Sequence, residues 1–166
     1  MIFERSATAR VARTVLTAAG LAALLTFTTH GALAFLALWS GRAAEAVRLV
    51  RTAQQYGGLG DTGKTRLLVI EGRAYGHLGD QAAAERAVRS ALELSTGARD
   101  ELHDDVGGEF VFLNDRVAMS NATTYLLLSD ADGAEEAAES AFSLLAAKPE
   151  GQRPLLVTAQ AHVDLD

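Results

Sequence analysis

The sequence predicts an all-α protein made of tandem antiparallel helical hairpins, and three observations carry that expectation. The 166 residues hold only two prolines, Pro149 and Pro154, so long stretches are free to be helical. Hydrophobic residues make up 49% of the chain but aromatic ones only 6%, which suits closely packed helices lined by Ala, Leu and Val. Three segments also repeat one layout of small residues and turns. The length fits one domain with a core of useful size.

Residues 1–28 read as an apolar N-terminal helix set apart from the repeats. The opening "MIFERSATARVAR" is mildly basic, and Thr14 to Ser40 carries no charge unless His30 is protonated. Two readings stand for residues 14–40. They form a buried helical hairpin, or they act as a signal or membrane anchor with Ala32-Leu33-Ala34 as a small-residue cleavage pattern. The abundance of Ala, Thr and Gly, and the interruption at Thr29-His30-Gly31, favour the hairpin.

Residues 29–166 read as the repeat domain, with hairpins over about 29–56, 64–96 and 113–146 and a lone helix over about 153–166. In the middle copy a first helix carries Leu68, Gly72 and Tyr75, and a turn falls at Leu78-Gly79-Asp80. A second helix carries Ala84, Val88, Ala91, Leu92 and Leu94, at the three- and four-residue spacing of an amphipathic helix. The first copy places Ala34, Ala37 and Gly41, then Ala46, Val50 and Ala53, at matching offsets. The third places Ala118, Ala122, Tyr125, Leu128 and Asp130, then Ala134, Ala138 and Ala141, with Ser129 where the turn glycine stood. A fourth copy begins at "RPLLVTAQAHVDLD" and has room for one helix, so the array is expected to be incomplete at both ends.

This layout resembles the tetratricopeptide repeat, most closely in the middle copy through Leu68, Gly72, Tyr75, Leu78-Gly79-Asp80, Ala84 and "ALEL" at residues 91–94. The resemblance implies a right-handed superhelix of stacked hairpins. It departs at Glu71, where the family usually has an apolar residue.

The stretch "GGLGDTGKT" contains a complete phosphate-loop pattern, Gly58 to Thr65, with Gly63, Lys64 and Thr65 closing it. Such a loop needs a strand to deliver it and a helix that starts at the Lys and Thr. Upstream, "AAEAVRLVRTAQQY" has helical spacing and no β-branched run, so the glycines read as a hinge between hairpins, with Asp61 or Thr62 capping the next helix. "YLLLSD", residues 125–130, offers the apolar run and acidic residue that magnesium binding would want, but it sits at a repeat turn. Nucleotide binding through Gly58–Thr65 stands as the alternative function.

Residues 95–130 contain "RDELHD" and "GGEFVF". Together with Trp39-Ser40-Gly41-Arg42, Gly60 to Gly63 as a loose counterpart of a Gly-Thr-Gly loop, and Arg66-Leu67, they resemble bacterial transcriptional regulators that join an Xre-type helix-turn-helix domain to tetratricopeptide-like repeats. The resemblance covers about residues 29–166, and no helix-turn-helix domain is expected within residues 1–28. What it implies is a regulator's sensory or self-association region in the cytoplasm. A net charge of −6 also argues against direct contact with nucleic acid by this chain.

Catalytic and metal chemistry find little footing. Cysteine is absent, which excludes disulfides, thiol catalysis and cysteine metal sites. His103, Asp104, Asp105 and Glu109 surround Gly107-Gly108 and read as a solvated loop rather than a metal site. His30, His77, His103 and His162 are scattered, and no serine sits in a nucleophile elbow. No catalytic residue, cofactor or metal is therefore expected.

The expected activity is binding of a peptide, a protein partner or a small effector, or self-association into a homo-oligomer. First helices of stacked hairpins line a concave groove. By repeat alignment its lining is Arg66, Val69, Arg73 and His77 from the middle copy and Arg116, Met119, Thr123 and Leu127 from the third. Arg66, Arg73 and Arg116 would hold a carboxylate. The competing expectation, slightly favoured, is that these arginines pair with Glu71, Glu85 or Asp115. A membrane-anchored repeat protein, held through residues 14–40, is the remaining alternative.

Overall fold

The structure is a computed structural model and describes residues 29–56, 60–95 and 113–150. Those residues form six helices, and no strand occurs among them. We label them α1 (29–39), α2 (Ala43–Gln54), α3 (Asp61–Leu78), α4 (Gln81–Ser95), α5 (Asn114–Leu127) and α6 (Ala131–Ala146). The expected helices of residues 1–28 and 153–166 lie outside the described residues.

One turn recurs three times. Gly41, Gly79 and Ser129 have φ of 72°, 71° and 59°, the left-handed conformation that ends a helix. Each is followed by the same reversed bond. The N–H groups of Arg42, Asp80 and Asp130 donate to the carbonyls of Ala37, Tyr75 and Tyr125, at 2.8, 3.1 and 3.0 Å. The N–H groups of Gly41, Gly79 and Ser129 donate to Leu38, Gly76 and Leu126, which completes a Schellman pair at every site. Glycine adopts this conformation freely, whereas Ser129 carries the strain of a Cβ.

The residue after each turn starts the next helix. Asp80 Oδ1 accepts from the Ala83 N–H and Asp130 Oδ1 from the Gly133 N–H, both at 3.0 Å. Aspartate at this position satisfies one of the orphan donors of a helix start. Arg42 lacks an acceptor and makes no side-chain cap; its guanidinium pairs with Glu45 at 2.7 Å instead.

Small residues line the contacts. Ala34, Ala37, Ala46, Val50 and Ala53 are buried together with Leu67, Ile70, Ala74 and Ala84 in the main cluster, where α1, α2, α3 and α4 meet. The extensive contacts are α3 with α4 and α5 with α6, and α3 also packs on α2 and on α5. A Cβ on Gly72 would stand 3.6 Å from Val88 and 3.7 Å from Ala87, an ordinary contact within the α3–α4 pair. Gly76 sits tighter: its Cβ would meet Leu127 Cβ at 3.1 Å and the Thr124 carbonyl at 3.4 Å. Gly76 therefore lets α3 and α5 approach closely.

Two polar links reinforce helix contacts that the small apolar residues already make. Arg51 of α2 donates to the Tyr75 hydroxyl and lies 3.7 Å from Glu71, while Gln54 donates to Glu71 at 3.1 Å. The unexpected Glu71 thus has a structural reason, because two α2 side chains converge on it. Just past α6, Lys148 donates to Asp115 Oδ1 at 2.7 Å, which fixes the end of α6 beside the start of α5. The Asp115 side chain is only 1% exposed, and its Oδ2 accepts no hydrogen bond from any described residue.

Candidate functional site

The α3 and α5 residues expected to line a groove are placed unequally. Arg66 and Arg73 are half-buried and His77 is exposed, on the α3 face that the spacing suggested. Val69 is corrected: it is 5% exposed and packs with Ala91 and Val117, so it belongs to the core. The close α3–α5 approach at Gly76 covers that side of the helix. On α5, Arg116, Met119, Thr123 and Leu127 are all half-buried. Met119 packs against Ala118 and Ala141, and Leu127 lies over Gly76, so both act in helix packing. Thr123 returns its hydroxyl to the Met119 carbonyl at 3.3 Å.

The carboxylates expected as partners for these arginines also meet groups from other positions. Glu71 takes Arg51 and Gln54, Glu85 accepts from Gln81 at 2.8 Å, and Asp115 takes Lys148.

Around the phosphate-loop pattern, α2 is helical to Gln54 and α3 begins at Asp61, with Gly60 at its N-cap and no side-chain cap. The expected capping by Asp61 or Thr62 is thereby corrected. Asp61 is already inside the helix and pairs with Lys64 at 3.2 Å, and Thr65 is buried at 2% exposure. Lys64 and Thr65 thus lie in the body of the first turns rather than at a strand-fed helix start. Residues 57–59 lie outside the described residues.

A different site emerges between α4, α5 and α6. A cleft of about 220 Å³ opens there, lined by Leu92, Ala118, Asn121, Tyr125, Glu136 and Ser140 among others. A second hollow shares Leu92 and Tyr125 and adds Glu85, Arg89 and Asp130. Asn121 is buried at 2% exposure, yet its Oδ1 accepts no hydrogen bond from any described residue. Burial raises the pKa of the Tyr125 phenol above 10.0, and the negative charges of Asp130, Glu85 and Glu136 push the same way against Arg89. The hydroxyl consequently stays protonated and neutral across the physiological range.

Sequence reading missed Asn121. The signal was present, because Asn121 follows Ala118 by three residues and precedes Tyr125 by four, which places a polar amide on the inward face of α5.

Elsewhere, His30 contacts the Tyr56 ring with centroids 5.7 Å apart. No group of three or more His, Asp or Glu that could hold a metal occurs among the described residues, and His103, Asp104, Asp105, Glu109 and His162 lie outside them. No helix among the described residues is long and apolar enough to cross a membrane. Of the 14–40 stretch only 29–40 is described; α1 buries Ala34 and Ala37 and exposes Leu36 and Trp39. Comparison with protein-family models, curated proteins and solved structures finds no match to this chain.

Proposed function

We propose that this chain is a non-catalytic binding module for a peptide, a protein partner or a small effector. Its helix pairs are read as tandem antiparallel hairpins wound into a right-handed superhelix of the tetratricopeptide kind. The threefold recurrence of one Schellman turn at matched positions supports that architecture. The observation that carries the binding role is the cleft between α4, α5 and α6, whose wall sets Leu92 and Ala118 beside Tyr125, Glu136 and Ser140. Arg66, Arg73 and Arg116 supply a second contact surface suited to carboxylates. The regulators that residues 29–166 resemble give the context: a cytoplasmic sensory or self-association region whose DNA contacts belong to another part of the system.

Selection from a displayed random-peptide library tests this reading. The folded chain is expected to enrich a sequence family that a heat-denatured sample does not. Absence of any enrichment, together with ATP binding that Lys64→Ala abolishes, would replace the module by a nucleotide-binding protein.

A further inference from the structure

A hollow of about 180 Å³ lies where α2, α3 and α4 meet, and its wall is rich in hydrogen-bond donors. Arg51 comes from α2, Glu71 and Tyr75 from α3, and Arg86 and Ser90 from α4. Glu71 and Tyr75 lie on the face of α3 opposite Arg66 and Arg73, so the hollow is separate from the expected groove.

The donors outnumber the acceptors. Tyr75 is 9% exposed and its hydroxyl accepts from Arg51, whose Cζ stands 5.9 Å from the ring centre. A guanidinium offers no acceptor, so the phenolic proton cannot return to Arg51, and no described residue takes it. The Ser90 hydroxyl makes no hydrogen bond with a described residue, although Ser40, Thr52, Thr123 and Thr124 return theirs to the carbonyl four residues back. Arg86 is exposed and enters no salt bridge with a described residue. Glu71 is the one carboxylate among the lining residues, and Arg51 and Gln54 already converge on it. Two guanidiniums against one carboxylate leave the hollow positive, in a chain whose net charge is −6.

Charge and size narrow the ligand. A surplus of a single positive charge matches a monoanion, and Glu71 would repel the second charge of a phosphate. The volume of about 180 Å³ falls below the roughly 300–1,000 Å³ of small-molecule pockets, so the space suits one functional group rather than a larger effector. Leu68, Ala83 and Ala87 give it an apolar flank.

We propose that this hollow binds a carboxylate on a short apolar stem, the acidic side chain or the free C-terminus of a peptide. The proposal rests on the chain being a binding module and names the ligand of one of its sites. Arg86 and the unused N–H groups of Arg51 donate to the carboxylate oxygens, joined by the Tyr75 and Ser90 hydroxyls, and the stem lies along Leu68 and Ala87.

The test is a 1H–15N NMR titration of the full chain at constant ionic strength with four probes. Acetyl-glutamate-N-methylamide carries a side-chain carboxylate and acetyl-alanine a terminal one. Acetyl-glutamine-N-methylamide is the neutral control, and inorganic phosphate is the rival anion. A carboxylate probe is expected to shift the amides of Tyr75, Arg86 and Ser90 saturably, with binding weakened about tenfold by Arg86→Gln and by Tyr75→Phe. The tighter of the two carboxylate probes supports the site and assigns its source. A glutamine probe that binds as tightly as the glutamate probe overturns the proposal, as does phosphate binding tighter than both carboxylates. Absence of saturation by every probe overturns it too, while the module keeps its own test in the peptide selection, which does not depend on this hollow. Arg86→Gln alters an exposed side chain, so an unchanged affinity in that variant overturns the proposal even where Tyr75→Phe disturbs the Arg51 contact.

Discussion

Replacing Gly76 by alanine should destabilise the protein, while the same change at Gly72, one helical turn earlier, should stabilise it. Both glycines lie inside α3, where Gly to Ala gains about 0.5–1 kcal/mol of helix propensity. At Gly72 the new methyl meets Val88 at 3.6 Å, Ala87 at 3.7 Å and the Ala84 carbonyl at 3.8 Å, so nothing has to move. The whole gain is kept, and the melting temperature should rise by about 2–4 °C per kcal/mol for a chain of this size. At Gly76 the methyl would stand 3.1 Å from Leu127 Cβ and 3.3 Å from its Cδ1. The Cδ1 can rotate away, but the Cβ is fixed to the α5 backbone, so the two helices must separate. Overfilling of that kind costs about 1–3 kcal/mol, which leaves a net loss of about 1 kcal/mol after the propensity gain. Urea denaturation followed by far-UV circular dichroism reads both as midpoint shifts at constant slope. A Gly76→Ala protein as stable as the parent would show that α3 and α5 do not approach as described. A destabilised Gly72→Ala protein would refute the α3–α4 contact.

Ser129→Gly should stabilise by about 0.5–1 kcal/mol, because it removes a Cβ from a left-handed residue; a lower urea midpoint would contradict that turn. Lys148→Met should destabilise by about 3 kcal/mol by stranding the buried Asp115 carboxylate. Adding Asp115→Leu should restore most of the loss, and a double variant no better than the single one would count against the pair. Tyr125 should ionise above the ordinary phenol value of 10.0, visible as a late ultraviolet step that Tyr125→Phe deletes. Since the folded phenol holds its proton more tightly than the unfolded one, stability from this group is complete below about pH 10. It is then lost as pH rises through the folded pKa, and an alkaline melting curve unchanged by Tyr125→Phe would refute the shift.

The seams of the fold were legible because small residues recur at fixed distances. Ala46, Ala84 and Ala134 occupy one position in three copies, as do Val50, Val88 and Ala138, and all six are buried. The turns were legible too, and even Ser129 keeps the left-handed geometry of the glycines it replaces. Contacts between copies were harder to read, since periodicity names the inward face of a helix but not its neighbours. Val69 therefore looked like groove and is buried, and no spacing rule pointed to the close approach of Gly76 to Leu127. The polar links were invisible for a related reason. Lys148 reaches Asp115 and Arg51 reaches Glu71 across distances in sequence that no local spacing rule covers. Asn121 needed the opposite inference, from an inward position to an amide oxygen that meets no donor among the described residues.

An interior built mainly of alanine reverses the ordinary direction of mutational damage. Most proteins lose stability when large buried side chains are cut down, but here Ala34, Ala53, Ala84, Ala91 and Ala122 are at 0% exposure with almost nothing to remove. The harmful changes are the ones that add atoms, and a single methylene can push two helices apart. Selection on such a chain acts as a ceiling on side-chain size, so drift should move through Ala, Ser and Gly far more readily than toward Val or Leu.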